Sequence, residues 1–100
     1  IKGGGISEMK KAAHLVQAFE REVMCHNARP TLATAATVHL AASIFNAARI
    51  QEHGGERAEL NQWPLFNNRF KFENGYLFVP EGPGLGLEVN EKEMEKFWVK

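Results

Sequence analysis

The sequence has a single cysteine, Cys25, so no internal disulfide can form. It has no excess of either charge: 12 basic residues stand against 12 acidic ones. That balance argues against a dedicated nucleic-acid surface or a polybasic membrane patch. No apolar run approaches the roughly 20 residues that a membrane helix needs. No basic segment followed by an apolar one opens the chain, so no secretory leader is visible. With one thiol and no leader, the expected compartment is the cytoplasm. One cysteine and scattered histidines lack the spacing of a zinc site. No internal repeat or low-complexity tract occurs. Gly82-Pro83-Gly84-Leu85-Gly86 lacks the surrounding strand, turn and helix that a dinucleotide fingerprint requires. What remains is 100 residues of ordinary globular composition, 44% apolar, suited to one domain at most.

The informative stretch is residues 22–52. It reads as a short strand over 22–25 ending at His26, then a polar turn. A long Ala-rich helix follows, from Pro30 or Thr31 to about Phe45, with Leu32, Ala35, Ala36, His39, Leu40 and Ala42 facing inward. A second strand over 48–51 ends at Glu52. Strand, helix and strand in this order place the two strands parallel and adjacent. Both then finish on one edge of the sheet, the edge where ligands bind in parallel α/β sheets and barrels. His26 and Glu52 would therefore share a crevice, an imidazole beside a carboxylate.

Upstream, Ile1-Lys2 reads as the end of a strand, and Gly3-Gly4-Gly5 as a strand-to-helix turn in preference to a phosphate cradle. Ser7 is the expected N-cap of a helix, with Glu8 set against its dipole. Met9, Ala12, Ala13, Val16 and Phe19 form its apolar stripe. The alternation of strands and helices indicates a parallel sheet. After Glu52 the pattern changes. Trp63-Pro64-Leu65-Phe66 is an apolar patch. Asn74-Gly75 between two apolar runs signals a hairpin. Asn90 with Glu93 suggests a capping-box variant opening a short helix to Phe97. Phe66, Phe70, Phe72, Tyr76 and Phe78 are expected to pack within this tail. The chain begins on a strand end, and three parallel strands with a hairpin leave an open edge. The chain is therefore expected to be the C-terminal part of something larger. As barrel material it is about two-fifths of the roughly 250 residues of a complete one.

Several side chains carry two readings. Asn27 is a turn former or a substrate contact. Arg29, near the same mouth, could meet a substrate carboxylate bidentately or form a surface salt bridge. His53 follows Glu52 and is counted with the substrate-binding group, on the substrate or behind Glu52. His14 reads as surface and His39 as a satisfied core histidine. Alternation along the strand turns Cys25 away from His26, which weakens a Cys-His nucleophile.

Four segments in order resemble the C-terminal end of the enolase superfamily: KGGGISEMKKAAHLVQAF, EVMCHN, TAATVHLAASIFNAARIQE and NGYLFVPEGPGLGLEVNEKEMEKF. The nearest subgroup is the mandelate racemase/muconate lactonizing enzyme-like one, and within it the sugar-acid dehydratases. The resemblance implies a TIM-like (β/α)7β barrel, of which residues 1–52 would run from the end of strand 6 to strand 8. Residues 53–100 would form a tail packing back toward an N-terminal capping domain. In that family a His at the end of strand 7 is a general acid or base, and His26 matches it. A Glu at the end of strand 8 stabilises the developing enolate, and Glu52 matches it. The implied reaction is proton removal alpha to a carboxylate, with loss of the β-hydroxyl of a sugar acid. A racemase or epimerase of the same superfamily is the alternative. The implied cofactor is Mg2+, with ligands expected outside these residues and none within them. Implied partners are the small-molecule sugar acid, the N-terminal remainder of the barrel with its capping domain, and further copies in a homo-oligomer; neither nucleic acid nor membrane is among them. The 100 residues alone are expected to be inactive. A rival of another class is a free-standing, non-catalytic α/β binding module.

Overall fold

The structure, a computed structural model, describes residues 3–27, 32–54 and 65–99. The expected strand end at Ile1-Lys2, the helix opening at Pro30 or Thr31, Arg29 and Trp63-Pro64 lie outside the described residues.

Helix α1 spans Gly5–Ala18. It does not start at Ser7. Gly4, at φ 90, turns the chain into the helix with no side-chain cap, and Ser7 lies inside the first turns. Glycine reaches this left-handed conformation without the steric cost other residues meet, which makes a hydroxyl cap dispensable here. Glu8 does sit in the first turn. The helix ends in paired reverse bonds: Glu20 N–H donates to the Gln17 carbonyl at 2.9 Å and Arg21 N–H to that of Val16 at 3.2 Å. Glu20 takes the left-handed position, φ 54, that usually falls to glycine.

Only part of the expected stripe is covered. Ala13 is buried and Met9 packs behind it, whereas Ala12 is exposed and Phe19 is 70% exposed. Among the described residues helix α1 packs mainly on helix α2 and the corner beside it, so only a narrow strip is shielded. Helix α2, Leu32–Ala42, stops short of the expected Phe45. Both the backbone N–H and the hydroxyl of Ser43 donate to the Leu40 carbonyl at 2.9 Å, a side-chain competition that favours ending a helix. Phe45 is left exposed while Ile44 turns into the core. Leu32 and Ala42, expected to face inward, are exposed.

Helix α2 is apolar around most of its girth and packs on two sides. One side, with Leu40, joins Ala13, Ile44, Met9, Val23, Cys25 and Ala47. The other, with Ala35, meets Phe70 and, behind it, Phe66, Leu77, Leu85 and Leu87 of the C-terminal segment. His39, half-buried between them, points Nε2 at the Leu85 carbonyl at 3.3 Å.

The expected strands over 22–25 and 48–51 shrink to one parallel bridge, Val23 with Ala47. Val23 N–H donates to the Asn46 carbonyl and Ala48 N–H to that of Val23, both at 2.8 Å. The parallel sense is as expected. The ladder then stops because the chain bends at Arg49 and Ile50. Ala47 and Ala48 also lack the branched side chains that favour extended pairing. Asn46 ties this corner to α1, its Nδ2 donating to the carbonyls of Ala13 and Arg21 at 3.0 Å each.

The hairpin forms where expected. Strands β1, Phe72–Glu73, and β2, Tyr76–Leu77, pair antiparallel across Asn74-Gly75. Both turn residues have positive φ, 51 and 81, as a tight two-residue turn demands. The tail aromatics separate: Phe70 is buried, while Phe72, Tyr76 and Phe78 stay largely exposed. Helix α3, Glu91–Met94, continues as a 3-10 turn over Glu95–Phe97, capped by the Asn90 oxygen accepting from Glu93 N–H at 3.2 Å.

Candidate functional site

The site begins with strand alternation. Val23 and Cys25 pack into the core against Leu40 and Ile44, so Met24 and His26 point outward. Burial pushes the Cys25 thiol up from its ordinary pKa, the direction that disfavours a thiolate nucleophile. On the facing segment Gln51 turns in and Glu52 emerges next to His26. The His26 Nδ1 lies 2.7 Å from Glu52 Oε2. A carboxylate only accepts, so Nδ1 carries the proton and donates. Nε2 is then the ring atom left to exchange a proton. The imidazole side chain is 77% exposed and the carboxylate 36%.

Of the other expected site residues, Asn27 is buried, and its Oδ1 accepts from the Thr34 hydroxyl at 3.1 Å. Thr34 is itself completely buried in the first turns of α2. This bond ties the residue after His26 to the helix behind it. His53 is half-buried and stacks on Phe72, with ring centroids 5.7 Å apart and planes at 26°. A cavity of about 350 Å³ opens between α2, the segment 49–53 and the hairpin, and Asn27, Glu52, His53 and Arg49 border it. The structure thus brings His26 and Glu52 together and sets Asn27, Glu52 and His53 in the wall of one cavity. Arg29 lies outside the described residues.

Sequence reasoning missed Thr34 and Gln51. The Gln51 side chain accepts from Cys25 N–H at 3.2 Å and donates to the carbonyls of Ala48 at 2.7 Å and Val23 at 3.2 Å. Two of its partners lie 26 and 28 residues away, so no local pattern announces it.

A family model described as Enolase C-terminal domain-like matches residues 1–93. The chain belongs to this family. The family implies a TIM-barrel-related α/β fold, and the described residues of this enolase C-terminal domain-like chain contribute helices, one parallel bridge and a small sheet. The chain is 32% identical over 99 residues to a D-gluconate dehydratase of Thermoproteus tenax, covering 94% of this chain and 19% of that protein. It is 31% identical over 98 residues to a D-xylonate dehydratase of Haloferax volcanii, covering 97% and 23% respectively. It is 35% identical over 97 residues to a D-gluconate/D-galactonate dehydratase of Picrophilus torridus, covering 92% and 23%. The chain therefore spans about a fifth to a quarter of the length of these curated relatives. No solved structure matches it significantly.

Among the described residues of this enolase C-terminal domain-like chain, no group of three or more His, Cys, Asp or Glu side chains could hold a metal ion. Among the same residues, no helix is long and apolar enough to cross a membrane.

Proposed function

We propose that the protein carrying this chain is a sugar-acid dehydratase, with His26 as its proton-transfer group and Glu52 as that group's partner. The observation that carries the reading is the 2.7 Å contact between Nδ1 and Oε2 at the ends of two parallel-paired segments. The dehydratase names of the relatives support the substrate class. With Nδ1 engaged by Glu52, Nε2 takes the proton from the carbon alpha to the substrate carboxylate. Negative charge spreads onto that carboxylate. The bond to the β-hydroxyl then breaks, the hydroxyl leaves as water with the proton that Nε2 took, and the enol product tautomerises to a 2-keto-3-deoxy acid. An imidazole suits this work because its unperturbed pKa, about 6.5, lies near working pH. Asn27, His53 and Arg29 are assigned to the site as substrate-binding groups.

The exposure of His26 is consistent with a site whose remaining walls come from other parts of the protein, the rest of the barrel and a capping domain. The family resemblance implies a magnesium ion, whose role would be to neutralise the developing charge. The described residues do not fit as its ligand set. Its ligands would belong to those other parts as well. A homo-oligomer and a cytoplasmic location complete the reading.

The test uses the full-length protein, a panel of aldonic acids and detection of keto-acid product, with and without chelator. His26→Ala is expected to cost at least about 10²-fold in rate. Full activity in that variant would end its assignment. Stereoinversion of a substrate without keto acid would return the racemase alternative.

A further inference from the structure

We propose that Gln51 is the positioning residue that sets the spacing of His26 and Glu52, its side-chain amide standing in the ladder where backbone would meet backbone. The inference rests on reading His26 and Glu52 as the reacting pair. The register at the Val23–Ala47 bridge fixes what an unbroken parallel ladder would do next. Val23 N–H already reaches the Asn46 carbonyl, and Ala48 N–H reaches that of Val23. One step on, Cys25 N–H would donate to the Ala48 carbonyl.

The Gln51 amide occupies that place instead. Its Oε1 takes the Cys25 N–H, and its Nε2 gives one hydrogen to the Ala48 carbonyl and the other to that of Val23. The two backbone groups that the ladder would have joined are thus joined through one amide, and the strand ends are held apart by its width. Both backbone groups keep a partner despite the bend at Arg49 and Ile50. His26 follows Cys25 directly and Glu52 follows Gln51, so the spacer acts one residue from each member of the pair. Only an amide supplies one acceptor and two donors from one planar group. A carboxylate of the same shape offers no donors, and an apolar chain of the same length offers nothing.

The test compares Gln51→Met and Gln51→Glu with the parent and with Glu52→Ala, in the full-length protein labelled with 15N-histidine. At alkaline pH, where imidazoles are neutral, 15N shifts report which ring nitrogen of His26 carries the proton. The parent is expected to show the Nδ1–H form that the bond to Glu52 enforces, and Glu52→Ala to lose it. Gln51→Met is expected to lose it too, with unchanged far-UV circular dichroism. In the aldonate assay its kcat should fall about 10²-fold with KM nearly constant, the size of effect that a misplacement of about 1 Å produces. If Gln51→Met does not fold, Gln51→Glu gives the same readout, since it keeps the volume and the acceptor. Parental Nδ1–H in either folded variant would overturn the proposal. Loss of the Nδ1–H form with parental activity in Glu52→Ala would instead sink the dehydratase reading and leave the Gln51 result standing.

Discussion

Replacing Glu52 with Gln separates chemistry from stability at this site. The change keeps the side-chain shape and removes the charge facing His26 Nδ1 at 2.7 Å. With 77% and 36% of the two side chains exposed, water screens the pair strongly. Its contribution to folding is then about 0–1 kcal/mol, the range of exposed ion pairs. Against a typical total of about 5–15 kcal/mol, such a loss leaves the folded population essentially complete. On the proposed reading, the same substitution weakens the group that orients the imidazole and balances its positive charge after proton transfer. A loss of at least about 10²-fold in rate corresponds to roughly 2.7 kcal/mol of barrier, well above the stability term. The assay measures urea unfolding and steady-state kinetics on one preparation. A stability loss above about 2 kcal/mol would make the pair a structural element after all, outside the usual range for exposed pairs. A rate loss of only a few-fold would show that the carboxylate does not serve the imidazole. Either result would refute the reasoning.

Two further substitutions probe the scaffold behind the site. Thr34→Val removes the hydroxyl that donates to Asn27 in a fully buried setting. It should cost about 1–3 kcal/mol in urea unfolding, and a double variant with Asn27→Leu should recover part of that loss. Gly86→Ala places a Cβ 2.8 Å from the Pro80 backbone at a φ of 70, and should destabilise by about 1–3 kcal/mol. Hydrogen exchange is expected to speed up first at the Phe78 amide, which bonds Lys71 across the hairpin, and unchanged protection there would count against the clash.

The two members of the candidate pair were legible in the sequence because each follows a short expected strand, with a helix between the two. Their actual contact was not, since it depends on how far the paired segments separate after Val23 and Ala47. The strands expected over 22–25 and 48–51 illustrate the difference. Parallel adjacency follows from the order of elements, whereas the bend at Arg49 and Ile50, and the Gln51 amide that bonds Cys25 N–H and the Ala48 carbonyl beyond it, are visible only in the folded chain. Phe19 shows the same limit on helix α1. Its spacing matches the buried stripe, yet among the described residues nothing covers it and it remains exposed. Asn27 reads from the sequence as a turn former or a substrate contact, and its buried bond to Thr34 emerged only with the helix packed behind it.

The sequence by itself determined the features that neighbouring residues enforce: the Asn74-Gly75 hairpin, the Asn90 cap and the outward turn of His26 beside an inward Cys25. Each follows from backbone sterics or side-chain alternation within a few residues. Only the tertiary structure decided which apolar positions were covered, where the parallel ladder broke, and which groups the Gln51 and Thr34 side chains bond. Those outcomes depend on which groups compete for the same hydrogen bonds and the same buried area, and the competitors lie far apart along the chain.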